Sequence, residues 1–130
     1  NFLKSIAGDT VEFVTDANDS KRDELIANAK AFLFASVDEE FGIAPIEAMG
    51  FGTPVIAYES GGLKETIAYG VNGFLFKELN SQSLYEEIMK LEALSEEKYS
   101  EMRKGARKES EKYTFEVFKK KMLAIIPKTL

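Results

Sequence analysis

Cysteine and histidine are both absent from the 130 residues. Without cysteine there is no disulfide framework, no thiolate nucleophile and no thiolate metal site. Without histidine, the usual general base and the commonest zinc ligand are excluded within the chain. No apolar run is long enough to cross a bilayer, and nothing at Asn1 has the pattern of a signal peptide. Lys and Arg are missing from Ala31 through Glu59, whereas the last third holds Lys98, Arg103, Lys104, Arg107, Lys108, Lys112 and Lys119 to Lys121. With 17 Lys+Arg against 22 Asp+Glu the formal charge is −5, so electrostatics give no reason to expect nucleic acid or anionic lipid as the main partner. Internal repeats and low-complexity linkers are lacking too.

What remains is one domain's worth of chain, with 45% hydrophobic residues and ten Phe to build a core and no room for a second complete domain. Its organising stretch runs from Ala31 to Tyr58. The apolar run Ala31 to Ala35 opens it and Val55-Ile56-Ala57 closes it, and short continuous runs of this kind suit strands buried on both faces. Between them lie the acidic loop Asp38-Glu39-Glu40-Phe41-Gly42 and a short helix expected to start near Pro45, since proline is favoured in a first helical turn. That places Glu39 at the carboxyl end of a strand and Glu47 in the first turn of the next helix.

Phe2 to Gly8 reads as the tail of a helix stopped by Gly8, and the chain does not open with Met, so something upstream is expected to be missing. Val11 to Val14 is a candidate strand, Thr15 to Asn18 a loop, and Ser20 to Asp23 has capping-box spacing for a helix ending near Lys30. After Tyr58, the loop Glu59-Ser60-Gly61-Gly62 leads to a short helix through Leu63 and Ile67, and Gly70 to Gly73 turn into a last strand, Phe74 to Phe76. Alternating strands and helices at this spacing argue for a parallel α/β sheet whose binding edge is the carboxyl ends of its strands. Asn80 or Ser81 and Ser95 are expected to cap two further helices, and a last helix is expected from about Thr114 to Pro127.

A helix N-terminus presents unsatisfied N–H groups and partial positive charge, which attract an anion such as a phosphate. Gly42 can take a positive φ, so amides of Phe41 to Ala44 can donate to a diphosphate or a sugar hydroxyl. A carboxylate accepts from two neighbouring hydroxyls at once, so Glu47 can clamp a ribose diol and Glu39 a sugar ring. The same residues also suit a purely structural part: Glu47 complementing the helix dipole, worth ~0.3–1 kcal/mol, and Asp38 to Glu40 forming a solvated loop. Residues alone leave both readings open. A metal at Asp38-Glu39-Glu40 is not expected, because no octahedral ligand set is evident.

The run Glu39-Glu40-Phe41-Gly42-Ile43-Ala44-Pro45-Ile46-Glu47-Ala48-Met49, followed by Gly52-Thr53-Pro54-Val55-Ile56-Ala57, closely resembles the signature of the retaining family 4 glycosyltransferases. Gly61-Gly62-Leu63-Lys64-Glu65 and Asn72-Gly73-Phe74-Leu75 resemble the next two blocks of that family. Several blocks in order are a far more specific signal than a lone glycine motif. The resemblance covers about Val11 to Phe76 in register and, more loosely, the terminal helices through Thr114-Phe115-Glu116, where the family often has Trp.

It implies a GT-B architecture, two Rossmann-like domains with the active site between them, of which residues 1–130 form an incomplete carboxyl-terminal one with terminal helices from about residue 80. By resemblance, Glu39 contacts the donor sugar near the reacting face, and Phe41, Gly42, Ile43 and Ala44 supply amides to sugar and diphosphate. Glu47 holds the ribose, the loop around Asp16 approaches the base, and Gly61 and Gly62 line the cleft wall. Thr15 departs from the pattern, standing where a glycine is common, and Glu65 is expected only to cap or pair with a neighbour.

The implied activity is transfer of a hexosyl group, with retention, from a nucleotide-sugar to a glycan or lipid-linked acceptor, in the synthesis of a polysaccharide, lipopolysaccharide or capsule. No cofactor and no metal are implied. The expected location is the cytoplasm, at the inner face of the membrane; the basic and apolar terminal helices suit either peripheral membrane contact or, as is more common, packing on one side and solvent on the other. The family takes an Arg and a Lys for the diphosphate from a strand–helix unit that nothing in this chain matches, and the acceptor-binding domain is also unmatched. Two glutamates without a neighbouring cation in sequence oppose tight diphosphate binding, so the chain by itself is expected to be inactive. The alternatives are a non-catalytic nucleotide-sugar-binding module and a related GT-B sugar-phosphate synthase or phosphorylase.

Overall fold

A computed structural model describes residues 1–126; Pro127, the expected stop of the last helix, lies outside them. The elements are α1 (Phe2–Ile6), α2 (Asp19–Asn28), β1 (Phe32–Phe34), α3 (Ile43–Gly50), β2 (Val55–Tyr58), α4 (Leu63–Thr66), β3 (Gly73–Phe76), α5 (Ser81–Glu92), α6 (Glu96–Ser110), a 3-10 turn (Glu111–Tyr113) and α7 (Phe115–Ile125). The three strands form a parallel sheet in the order β1-β2-β3. Register is set with Phe32 opposite Val55 and Val55 opposite Gly73. This is the α/β architecture that the alternating pattern predicts.

β2 and β3 read as continuous apolar runs because they are buried on both faces; β1 departs from that expectation, with Leu33 half exposed and Phe32 and Phe34 only partly buried, because it is an edge strand among the described residues. Side chains alternate: Val55, Ala57 and Leu75 join Ala48, Met49, Leu63, Ile67 and Ala106 in one cluster, while Ile56, Phe74 and Phe76 join Leu91 and Met102 in the other. Met49, Val55, Ile56 and Leu63 are fully buried, each worth roughly 1.5–3 kcal/mol relative to exposure. Asn80 and Ser95 cap their helices as expected, accepting from the amides of Ser83 and Lys98, and Thr114 caps α7 in the same way through the Val117 amide.

Two local expectations fail. Val11 to Val14 form no strand; these residues are exposed, and a strand needs a neighbour to take its backbone groups. No strand lies beside them among the described residues. Helix α2 is capped by Asn18, whose side chain accepts from the Lys21 amide, and Ser20 lies inside the helix. Asn18 stands three residues before Lys21 as Ser20 stands before Asp23, so spacing alone chooses poorly between them. Helix α7 buries none of its described residues and leaves Phe115, Phe118 and Ile125 more than half exposed.

Candidate functional site

The carboxyl edge of the sheet carries the acidic loop between β1 and α3. Its shape is imposed by the loop after β2. The Asp38 amide donates to Ser60 Oγ (3.0 Å) and the Gly62 amide to the Glu39 carbonyl (2.9 Å). A Cβ at Gly61 would lie 2.0 Å from the Glu39 carbonyl oxygen, and one at Gly62 would lie 2.0 Å from that of Glu40. Gly61 and Gly62 are therefore the surface against which the acidic loop is pressed.

Glu39 is half-buried, and its Oε2 accepts from Ser36 Oγ (3.2 Å). Among the described residues its second oxygen accepts no hydrogen bond. Gly42, at φ 82°, occupies the N-cap position of α3, with Leu63 packed against its open side. The cap donates no side-chain oxygen, and among the described residues the amides of Phe41, Gly42, Ile43 and Ala44 have no acceptor. The start of α3 thus presents free donors and the positive end of the helix dipole. The Phe41 ring turns the other way, edge-on to Tyr113 at 5.2 Å.

Glu47 is placed differently from expectation. Helix α3 begins at Ile43, two residues before Pro45, so Glu47 is its fifth residue and stands in the second turn, exposed. Dipole effects fall off within the first turn, so complementing the dipole does not account for a carboxylate here. Glu47 instead faces a cavity of about 310 Å³ shared with Ala44, Phe32, Arg22, Val14 and Ala17. The loop around Asp16 is thereby brought to Glu47. Asp16 itself has φ 57° and is exposed, while its neighbours Val14 and Ala17 form the wall.

Sequence reasoning missed Arg22. The central stretch holds no cation, yet α2 supplies one: Arg22 lines the cavity together with Glu47, and a second of about 350 Å³ with Glu47, Asp23 and Gly50. Its Nε and Nη2 donate to Asp23 Oδ1 (3.1 and 2.9 Å), and Nη1 lies 3.6 Å from Asp19. Hydrogen bonding and charge from Asp23, and charge from Asp19 and Glu47, hold the guanidinium pKa above its ordinary value. Nothing local in the sequence announces that residues 22 and 47 line the same cavities, because the two lie on different helices, α2 and α3.

Glu65 is exposed in the first turn of α4 and enters no ion pair among the described residues. Among the described residues no group of three acidic side chains is arranged to hold a metal ion.

Residues 3–109 match the family described as glycosyl transferases group 1. Among curated relatives, the alpha-1,3/1,6-mannosyltransferase ALG2 of Homo sapiens is 39% identical over 72 residues, which are 55% of this chain and 17% of that protein. Among solved structures, sucrose-phosphate synthase from Thermosynechococcus elongatus superimposes with a TM-score of 0.75 at 29% identity, covering 91% of this chain and 30% of that one. HepE of Anabaena in complex with UDP superimposes with a TM-score of 0.64 at 29% identity, covering 79% of this chain and 29% of that one. The chain thus spans less than a third of the length of each of these proteins.

Proposed function

The chain belongs to the glycosyl transferases group 1 family and has the α/β fold of GT-B enzymes, and from that premise we propose that it is the donor-binding part of a retaining glycosyltransferase. The observation that carries the reading is the arrangement at α3: free amides at its start and Glu39 in the loop before it, at the carboxyl edge of a parallel sheet where ligands of open α/β sheets bind, with Glu47 in its second turn. UDP bound to the structurally similar HepE supports a nucleotide-sugar as the ligand.

In this reading Glu47 accepts from the ribose hydroxyls, and the loop from Val14 to Ala17 lies against the base, with Asp16 at its tip. The amides of Phe41, Gly42, Ile43 and Ala44 donate to the diphosphate and the sugar. Glu39 is the catalytic carboxylate beside the donor sugar, its free oxygen turned to the sugar hydroxyls, and Gly61 and Gly62 hold that loop in place. Transfer proceeds with retention through an oxocarbenium-like transition state on one face of the sugar, and the departing phosphate takes the acceptor proton. Neutralising the diphosphate requires cations. Arg22 is surrounded by Asp19, Asp23 and Glu47, so those cations come from outside the edge described here. The acceptor, a glycan or a lipid-linked sugar, is bound by another part of the intact protein. A cytoplasmic position with the exposed face of α7 against a membrane belongs to the same reading.

The test is release of nucleoside diphosphate by the full-length protein from a panel of UDP-, GDP- and ADP-sugars, with acceptor extracts. Donor-dependent release is expected, and none from the 130-residue chain alone. Turnover by the isolated chain, or no release from any donor by the full-length protein, would refute the reading. The likeness to sucrose-phosphate synthase favours one second reading, in which the acceptor is a sugar phosphate. Consumption of a sugar phosphate in the same assay distinguishes it.

A further inference from the structure

The free amides of Phe41 to Ala44 are useful to a ligand only if the loop that carries them is held still. Gly42, at φ 82°, has no Cβ to restrict its backbone, so the peptide before it turns easily unless its neighbours fix it. One side of the loop is fixed: the Gly62 amide donates to the Glu39 carbonyl (2.9 Å), and Leu63 packs against Gly42. On the other side stands the Phe41 ring, 41% exposed and edge-on to Tyr113, with centroids 5.2 Å apart and planes at 74°. Aromatic pairs in this arrangement attract beyond the area they bury, because a positive ring edge meets a negative face.

Tyr113 is itself anchored. It belongs to the 3-10 turn that continues α6, and α6 is seated on the far end of α3. Ala106 is buried with Ala48 and Met49, Arg103 Nε donates to the Gly52 carbonyl (3.0 Å), and Arg107 Nε lies 2.6 Å from where a Cβ at Gly52 would stand. The Tyr113 hydroxyl donates to Glu109 Oε1 (3.2 Å), and Glu109 Oε2 accepts from Lys112 Nζ (2.7 Å). One continuous stretch, Arg103 to Tyr113, thus grips α3 at its carboxyl end and reaches the loop at its amino end.

We propose that Tyr113 is a positioning residue that, through the Phe41 ring, holds the amides of Phe41 to Ala44 in place for the donor diphosphate. The proposal rests on the functional reading above, which assigns the diphosphate to those amides and the ribose to Glu47. Tyr113 therefore acts on the part of the affinity that the phosphates contribute and not on the part that the nucleoside contributes.

The experiment uses the full-length protein and titrates it with the nucleoside and the nucleoside diphosphate that match the donor it turns over best. Tyr113→Leu is expected to weaken the diphosphate by about threefold to tenfold and to leave the nucleoside unchanged. A general loosening of the fold weakens both alike. Tyr113→Phe keeps the ring and is expected to restore most of the diphosphate affinity. Tyr113→Leu combined with Phe41→Leu is expected to cost little more than either alone, because the two rings act as one unit. Urea midpoints report whether folding is intact; should Tyr113→Leu fail to fold, Phe41→Leu removes the same contact at a more exposed site and carries the same comparison of nucleoside with diphosphate. Unchanged diphosphate affinity, equal weakening of the nucleoside, or costs that simply add in the double variant overturn the proposal while leaving the donor-binding reading intact. Failure of the unmodified full-length protein to turn over any donor overturns that reading, and the proposal with it.

Discussion

The contact between Gly61-Gly62 and the acidic loop lends itself to a graded test by adding single methyl groups. A Cβ at Gly62 meets the Glu40 carbonyl oxygen at 2.0 Å, and the backbone there is αR (φ −65°, ψ −15°), so alanine adds overpacking without conformational strain. Backbone atoms cannot step aside as a flexible side chain can, which puts the cost at about 1–3 kcal/mol. Gly70, at φ 78° with nothing within 4 Å of a Cβ, isolates the other contribution, about 1–2 kcal/mol for a left-handed alanine. Gly61 combines both, with φ 52° and the Glu39 carbonyl oxygen 2.0 Å away, so Gly61→Ala is expected to cost roughly 2–5 kcal/mol. Urea unfolding of the three variants should rank Gly61→Ala as the worst, with midpoints lowered on the order of 1 M per 2 kcal/mol. Gly61→Ala and Gly62→Ala should also weaken donor binding, since the loop they displace carries Glu39, whereas Gly70→Ala should not. If Gly61→Ala unfolds no earlier than Gly70→Ala, the loop does not depend on this contact and the reasoning is wrong.

Asn72 is fully buried, with Oδ1 accepting from the Ala68 amide (3.0 Å) and Nδ2 donating to the Thr66 carbonyl (3.0 Å). Asn72→Ala leaves both backbone groups without partners and should lower stability by about 1–3 kcal/mol, read from urea midpoints; an unchanged midpoint would contradict this. Tyr69 sits between Glu87 Oε2 (2.7 Å) and Lys90 Nζ (2.7 Å), and burial, then the hydrogen bond to Glu87, push its phenol pKa up. The bonds from Lys90 to Glu87 and to Tyr69 likewise raise the Lys90 pKa above its ordinary range. Both groups favour in the folded state the form that carries its proton. Their contribution is complete below the unfolded pKa values of 10.0 and 10.5 and is lost as pH climbs through the higher folded values. Stability should therefore fall above about pH 10, and Tyr69→Phe should make that fall shallower; identical slopes in both proteins would rule the cluster out as its source.

Much of the fold is legible because its strands are short apolar runs, buried on both faces in β2 and β3. Phe32–Phe34, Val55–Tyr58 and Gly73–Phe76 fall where runs of that kind stand, and the caps at Asn80, Ser95 and Thr114 sit one residue before their helices. Val11 to Val14 has the same local pattern and forms no strand, because pairing depends on a neighbour and local pattern cannot supply one. At the site, Gly42 takes the positive φ open to a residue without a Cβ, whereas the N-caps of α2, α5, α6 and α7 are extended. The start of α3 at Ile43 moved Glu47 into the second turn, which weakened the dipole explanation that local reading had left open. Arg22 and Glu47 on one cavity, and Gly61-Gly62 against Glu39-Glu40, bring together residues about twenty or more positions apart, and no periodicity encodes such pairs.

The central claim divides the donor between two carboxylates, with Glu47 on the ribose and Glu39 on the sugar. Calorimetric titration of the full-length protein with UDP and with a UDP-sugar, or with the matching pair for whichever donor it uses, tests it most directly. Glu47→Ala should weaken both ligands alike, by about tenfold or more, while Glu39→Ala should leave the nucleoside diphosphate unaffected and lower affinity for the sugar nucleotide and its transfer. Wild-type affinity for the nucleoside diphosphate in Glu47→Ala would contradict the account.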